Sequence, residues 1–400
     1  MKFLKCTICL ILTMTILCAC GASTPAETTE APAQDILLDN SYVVVMESGV
    51  EGTAYLAAEC VQATLDEKVG LVKPKIVTTD PGSNSIVMLV DESMDAGAYE
   101  LKPTGTTLTI KAGSPHVLLY AAKQLHYGLM QAENPKLITV DMCQQLTGSV
   151  DADNLPFTVM TQNILFSEIE GGNLVADRAP RFQKLMAEYQ PDILFVQECT
   201  GSWFNYFKKY FGDTYLAINN DSNTILLRAD RYELIDQGKK YLSATPDVPS
   251  QFDDASSRRN TAWAIIRDKM TDTELYLWCP HLDWNHDEAR IKQANVLIDL
   301  MSPHFDQYPT LSAGDFNSTP DSPIYARMAE VMTDSRSSSE VDLTDVDHTY
   351  HGFYKKSTSF IDYIFHTDDF DSSTYRVLSD NYNGYVSDHY GVVTEMQLVK

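Results

Sequence analysis

From Leu155 to Lys400 the chain is a succession of short apolar, β-rich runs that outnumber the helical ones, and no strand–helix–strand unit recurs at a regular interval. A doubly wound parallel sheet needs a long, usually helical, crossover between its parallel strands. The pattern therefore predicts two sheets packed on each other and covered by helices. The runs are Phe157–Ile164, Ile193–Gln197, Thr224–Arg228, Thr261–Arg267, Glu274–Cys279, Thr310–Ala313, Phe360–His366 and Gly391–Gln397. Helical spacing marks Arg178–Tyr189, the neighbourhood of Trp203–Tyr210, and Asp287–Met301.

These runs share a second property: they end in polar side chains. Asn163 closes the first and Glu198 the second, while His281 follows Leu275-Tyr-Leu-Trp-Cys-Pro. Asp315 and Asn317 follow Thr310-Leu-Ser-Ala-Gly, Asp362 lies in Phe360-Ile-Asp-Tyr-Ile-Phe, and Asp388-His389 precede the last run. A rigid sheet positions groups at its strand ends, which is where binding and catalytic residues concentrate. Any one of these residues is equally an ordinary turn residue, but such a series along successive strands is not expected of turns. Asp315 and Asn317 are two residues apart, so an extended backbone sends both side chains to one face and turns Phe316 to the core. The alternative there is an Asx turn. Gly314 leaves room for another backbone to approach closely.

The net charge is −25, and residues 151–400 carry 21 basic against 39 acidic side chains. A field of that sign repels polyanions and argues against a processive, non-specific nuclease. A bound divalent cation would offset part of it. Lys2 and Lys5 precede an apolar run, Cys6–Ala19, that is shorter than the ~20 residues of a membrane-spanning helix. The run ends in Leu17-Cys18-Ala19-Cys20, which resembles a bacterial lipobox; the resemblance implies cleavage before Cys20 and its lipidation. Residues 1–20 are then a lipoprotein signal peptide, and the small, polar, Pro-containing 21–35 a linker. The expected location is the outer face of a bacterial membrane, held by lipid chains. Cys60, Cys143, Cys199 and Cys279 lack metal-ligand spacing and sit in apolar contexts, as small buried residues do.

Residues 36–150 read as a small α+β domain: strands near Ser41–Glu47, Lys75–Thr79, Ile86–Asp91, Ala98–Lys102 and Thr106–Ala112, and helices at Thr53–Lys68 and Pro115–Met130. Ser114 is the expected cap of the second helix, with Pro115 at its first position. Gly97-Ala-Tyr-Glu-Leu, Thr109-Ile-Lys-Ala-Gly-Ser-Pro and Tyr120-Ala-Ala-Lys-Gln-Leu make this part similar to the non-catalytic N-terminal domain of β-hexosaminidases and α-glucuronidases. That likeness implies contact with a cell-wall glycan. His116 and His126 are expected to be surface or hydrogen-bonded core histidines. Residues 143–154 read as a polar connector.

The stretches Met160-Thr-Gln-Asn-Ile, Pro191-Asp-Ile-Leu-Phe-Val-Gln-Glu, His281-Leu-Asp with Glu288, Arg290 and Gln293, Gly314-Asp-Phe-Asn, Ile361-Asp-Tyr-Ile and Ser387-Asp-His-Tyr occur in that order. Together they make residues 155–400 resemble the endonuclease/exonuclease/phosphatase superfamily of metal-dependent phosphoesterases. The resemblance implies a four-layer α/β sandwich, two mixed β-sheets flanked by helices, preceded by the small α+β domain. It also implies Mg²⁺ or Mn²⁺ bound by Glu198 and Asp388, with Asn163 lending an amide oxygen or ordering Glu198. Asp315 would position and deprotonate water, and Asn317 would donate to a phosphoryl oxygen. His389, oriented by Asp362, would donate to phosphate or exchange a proton; His281 would donate to phosphate or protonate the leaving group. Arg259, Trp284 and His351 are softer candidates for substrate contact. A P-loop, a dinucleotide fingerprint, HExxH and GxSxG are all missing from the sequence. The expected activity is hydrolysis of a phosphodiester linked to a lipid, glycan or nucleotide, with no dedicated protein partner implied. An extracellular nuclease and a surface glycan-binding protein with a secondary hydrolase domain are the alternatives.

Overall fold

The computed structural model describes residues 31–353 and 358–399. The signal peptide 1–20 with Cys20, and residues 21–30 of the linker, lie outside the described residues.

Val43–Val45, Lys75–Val77, Ser85–Val90 and Thr107–Ala112 pair in parallel, and Ala98–Thr104 and Gly148–Ser149 add antiparallel edges, giving a six-stranded N-terminal sheet. Helices Gly52–Glu67 and Pro115–Gln131 cover it and bury Ala57, Ala58, Val61 and Leu65 with Leu118, Ala121, Ala122 and Leu125. The Ser114 hydroxyl accepts from the Val117 N–H at 3.4 Å, at the predicted start of the second helix. The stretch read as a connector is instead folded. Thr139 caps a helix, Val140–Leu146, by accepting from Met142 N–H at 3.0 Å, and Gly148–Ser149 joins the sheet. The polar sequence hid this because a short capped helix needs little apolar surface of its own.

The C-terminal unit is two mixed sheets face to face with helices outside. The seven-stranded sheet runs Tyr215–Asn220, Asn223–Arg228, Ile193–Gln197, Phe157–Asn163, Gly391–Leu398, Phe370–Leu378, Val341–Asp342. The six-stranded sheet runs Tyr232–Tyr241, Asn260–Asp268, Thr273–Pro280, Thr310–Asp315, Asp362–His366, Thr333–Asp334. Strand alternation sorts the side chains. Phe157, Val159, Ile193 and Phe195 point between the sheets against Ala264, Leu277, Leu311 and Ile364. Met160, Leu194 and Val196 point outward under helices Val175–Tyr189 and Ser202–Phe211. Helices Asp287–Met301 and Pro323–Ala329 cover the other sheet through Ala294, Leu297, Ile324 and Met328. Among the strands missed in the sequence, Tyr215–Asn220 lies on the edge of its sheet, Tyr232–Tyr241 is a polar edge strand with a bulge between Leu234 and Asp236, and Phe370–Leu378 begins Phe-Asp-Ser-Ser-Thr.

Buried polar pairs fasten the two units together. Lys123 Nζ lies 3.1 Å from Asp192, whose carboxylate also accepts from Thr158 N–H at 2.8 Å. Lys68 pairs with Glu188 at 3.0 Å and with Asp380. Both helical histidines face this seam: His116 sits 3.3 Å from Asp230, and His126, whose Nδ1 is 3.0 Å from the Thr64 hydroxyl, has Nε2 3.7 Å from Glu188. Among the described residues Cys60, Cys143, Cys199 and Cys279 are buried free thiols, each pushed up to about 12 by burial, so none of these is poised to react.

Candidate active site

The strand ends of both sheets meet at one rim around a cleft of about 1140 Å³. Glu198, Arg259, His281, Trp284, Asp315, Asn317, Asp388 and His389 line it; Asn163 and Asp362 lie beneath. A Cβ at Gly314 would overlap the Pro280 carbonyl oxygen, so glycine is what lets the Thr310–Asp315 strand come close enough to its neighbour for Asp315 to reach His281. Gly314→Ala is expected to destabilise the fold by roughly 1–3 kcal/mol, as overpacking does. A urea melt checks this, and a melt equal to the parent's would show that the strands can separate freely.

Asp315 is the hub. Its Oδ2 accepts from the Asn163 amide at 3.0 Å and lies 3.5 Å from His281 Nε2 and 3.9 Å from His389 Nε2. Its Oδ1 accepts from the Asn317 N–H at 2.9 Å. Burial, then the neighbouring Asp362 charge, pushes the Asp315 carboxyl up to about 7. His389 Nδ1 is 2.9 Å from Asp362 Oδ2. Burial alone would lower the His389 pKa, but Asp362 and then Asp315 outweigh it and raise it to about 10, which keeps the ring cationic. His281 is held well below its usual range by burial, then by Arg259 and His389, so it is neutral. One neutral and one cationic imidazole therefore flank a single carboxylate.

Asn317 departs from the expectation. The strand stops at Asp315, and Asn317 adopts a left-handed backbone with φ 48°, so the pair forms an Asx turn instead of sharing a strand face. One amide hydrogen of Asn317 goes to the Leu282 carbonyl at 3.1 Å, which leaves the other for the cleft. Phe316 does turn into the core, against Tyr363 and Phe365. Glu198 is also left-handed, with φ 61°, and such strain persists where surrounding contacts enforce it. Here the contacts are Asn163 Nδ2 on Oε1 at 3.2 Å and Phe166 N–H on Oε2 at 3.0 Å. The Asn163 oxygen accepts from Leu165 N–H at 3.0 Å and its amide hydrogens go to Glu198 and Asp315, so this residue orders Glu198.

His351 does not face the cleft. It stacks between Tyr385 and Tyr390, with ring centroids at 4.4 and 4.3 Å, and its N–H supports the Asp388 carbonyl at 3.0 Å. The aromatic neighbours draw it into the wall behind Asp388. Trp284 stands on the rim, 64% exposed. Arg259 is half-buried and its Nε has no hydrogen-bond partner among the described residues.

Sequence reasoning missed the supporting groups. Thr349 is fully buried and its hydroxyl accepts from Ile361 and Asp362 N–H at 3.0 and 3.1 Å, setting the height of Asp362. The buried Arg178 guanidinium gathers the carbonyls of Ile164, Leu165, Ser167 and Asn173, which shapes the loop whose Phe166 N–H holds Glu198. Tyr350 edges the His389 ring at 5.0 Å. A helix-embedded arginine and a loop threonine carry no sequence pattern of their own.

Asp315, Asp362 and His389 offer ligand atoms within 4.8 Å of one another. A protonated imidazole cannot ligate, so that trio suits proton handling, whereas Glu198 and Asp388 present oxygens on the open wall. No thiol lines the cleft among its described residues, and hard oxygen donors suit Mg²⁺ or Mn²⁺. Burial, and only then the Asp362 charge, raises the Asp315 carboxyl, and a dication on the open wall would act against that rise.

Residues 160–389 match the Endonuclease/Exonuclease/phosphatase family, and the chain belongs to it. Such domains hydrolyse phosphoesters, and this chain is a hydrolase of that class. Among solved structures, the endonuclease/exonuclease/phosphatase from Bacteroides vulgatus is 24% identical with TM-score 0.57, over 61% of this chain and 100% of that one. A family protein from Bacteroides thetaiotaomicron is 25% identical with TM-score 0.56, over 62% and 99%. The mannosyl-6-phosphatase of the same organism is 25% identical with TM-score 0.54, over 60% and 99%. No curated protein matches the chain.

Proposed function

We propose that this protein is a divalent-metal-dependent phosphoesterase that acts outside the cell on a compact, sugar- or glycan-linked phosphate. The observation that carries the reading is the Asp315 carboxylate between His281 and His389 at the floor of an open cleft. The phosphodiester expected from the sequence carries a second esterified oxygen and one negative charge fewer than a phosphomonoester; attack by water and loss of one ester oxygen are common to both. Likeness to a mannosyl-6-phosphatase favours a sugar phosphate as the first substrate to try. The charge of −25 weighs against long polynucleotides.

Glu198 and Asp388 would hold Mg²⁺ or Mn²⁺, with Asn163 ordering Glu198, and the metal would supply Lewis-acid stabilisation of phosphoryl charge. The remaining work belongs to the chain. Asp315 accepts a proton from water as the water oxygen bonds to phosphorus; the bond to the leaving oxygen breaks, and that oxygen takes up a proton from solvent to leave as the alcohol. His389, cationic through Asp362, donates to a phosphoryl oxygen, as do His281 through Nε2–H and Asn317 through its second amide hydrogen. The Arg259 guanidinium meets the same anion. Activity should fall on the acid side as Asp315 takes up a proton and on the alkaline side as His389 loses one.

Cys20 would carry the lipid that places the enzyme at the membrane, and residues 36–150 would orient it on cell-wall glycan. Cys20→Ala should abolish incorporation of labelled fatty acid and release the protein; membrane retention without label would refute the anchor. For the reaction, purified protein is offered Mg²⁺ or Mn²⁺ with mannose 6-phosphate, glucose 6-phosphate, teichoic acid, phosphatidylinositol, sphingomyelin, RNA and plasmid DNA. The expected result is phosphate or alcohol release from a sugar-linked ester, silenced by EDTA and restored by Mg²⁺. Turnover confined to DNA or RNA would overturn the substrate class, and turnover undiminished in EDTA would overturn the metal.

A further inference from the structure

His281-Leu-Asp, Arg290 and Gln293 belong together in sequence, yet only His281 enters the chemistry above. Asp283 is fully buried and touches no cleft surface. Its two carboxylate oxygens are divided between two walls of the cleft. Oδ2 accepts from Ser256 N–H at 2.8 Å, Ser256 Oγ at 2.6 Å and Ser257 N–H at 3.4 Å, on the loop that leads into Arg259. Oδ1 accepts from Asn285 N–H at 2.9 Å and His286 N–H at 3.1 Å, which closes the turn that lifts Trp284 onto the rim and starts the Asp287–Met301 helix. The Asp283 backbone is fixed in turn: its N–H donates to Gln293 Oε1 at 2.8 Å, and its carbonyl accepts from Arg290 Nη1 at 3.0 Å. A carboxylate that accepts this many hydrogen bonds has no capacity left for substrate.

We propose that Asp283, braced by Gln293 and Arg290, is a positioning residue that sets Arg259 and Trp284 as one substrate-gripping unit and so governs phosphoester affinity more than turnover. The proposal rests on the phosphoesterase reading. Uniform binding energy of this kind appears in KM, whereas the Asp315 group acts on kcat. In Asp283→Asn one oxygen becomes an NH₂ that must face donors of its own kind. Losing hydrogen bonds to a charged acceptor at roughly 1.5–3 kcal/mol corresponds to about a 10- to 100-fold change.

The test is steady-state kinetics of the full chain with Mg²⁺ on whichever panel ester the parent hydrolyses, for Asp283→Asn, Ser256→Ala, Arg259→Ala and the double variant Asp283→Asn/Arg259→Ala. Inorganic phosphate binding to the Mg²⁺-loaded proteins is followed by calorimetry in parallel. Asp283→Asn is expected to raise KM at least about 10-fold and weaken phosphate by a similar factor, with kcat within about 3-fold. Ser256→Ala, which removes a single donor, should raise KM about 3-fold. In the Arg259→Ala background the Asp283 effect should shrink to that of Trp284 alone, giving strong non-additivity. A fall in kcat at unchanged KM, or equal effects of Asp283→Asn with and without Arg259, overturns the proposal. If Asp283→Asn fails to fold, Ser256→Ala decides: raised KM supports the role and parental KM refutes it. If the parent hydrolyses nothing, the phosphoesterase reading fails, while the phosphate isotherms still judge the positioning claim.

Discussion

Asp315→Asn is expected to lower kcat by about 10²–10⁴, the range that a positioned general base supplies, and to leave the metal-free protein at least as stable as the parent at pH 8. The first half follows from contact: Asp315 Oδ2 is the oxygen toward which Asn163, His281 and His389 converge. The second half follows from the sign of its shift. A carboxyl raised from 3.8 to about 7 in the folded protein favours folding most below the unfolded value, and that contribution is lost as pH rises through about 7. An amide of the same shape does not carry this penalty. His389→Ala should behave differently. It leaves the fully buried Asp362 without its cation, and Asp362 Oδ1 already lacks a hydrogen-bond partner among the described residues. The His389 contribution, from a pKa raised to about 10, is present below 6.5 and fades as pH rises toward 10. Melts of both variants from pH 6 to 10, beside kcat, check the pair. A stable, inactive Asp315→Asn with a His389→Ala deficit that shrinks with pH is the expected pattern. A parental kcat in Asp315→Asn would remove the base from the account.

Lys123→Met is expected to cost about 3 kcal/mol of stability at pH 7, the low end for breaking a buried ion pair by removing one partner. Lys123 belongs to the N-terminal unit, and the Asp192 it pairs with directly precedes Ile193–Gln197, an interior strand of the C-terminal unit's seven-stranded sheet. Burial raises the Asp192 pKa, and Lys123, then Arg231 and Arg228, more than reverse this, so the carboxyl stays below its usual range. Stability from a depressed carboxyl is present above its unfolded value, near 3.8, and is lost as pH falls through the folded one. The Lys123→Met deficit should therefore be large at pH 7 and shrink below pH 4. Urea melts at both values measure it. A variant within about 0.5 kcal/mol of the parent at pH 7 would mean that the seam contributes little and that the N-terminal unit is only tethered.

The sheets were legible because short apolar, β-branched runs are a property of the chain itself. Phe157–Asn163 and Ile193–Gln197 are buried throughout and read as strands, while Tyr232–Tyr241, polar and on an edge, did not. Glu198, Asp315 and His389 were visible as polar ends to apolar runs. Their directions were not. Gly314-Asp-Phe-Asn allows both a shared strand face and an Asx turn, and it is the turn that forms; nothing in Thr349-Tyr-His-Gly-Phe tells whether His351 faces the cleft or stacks between Tyr385 and Tyr390. Thr349, Arg178 and Asp283 had no role assigned from the sequence because they act through backbone groups brought near only by the fold. The seam escaped for the same reason: Lys68 and Lys123 look like surface charges until Glu188 and Asp192 are packed against them.

We propose that water, positioned by Asp315, attacks phosphorus in a metal-dependent reaction. Hydrolysis of the turned-over ester in ¹⁸O-water with Mg²⁺, followed by mass analysis of both products, tests it most directly. The account predicts one heavy oxygen in the released phosphate, none in the alcohol, and no labelled product from Asp315→Asn or in EDTA. Heavy oxygen in the alcohol, or unchanged labelling in either control, would contradict it.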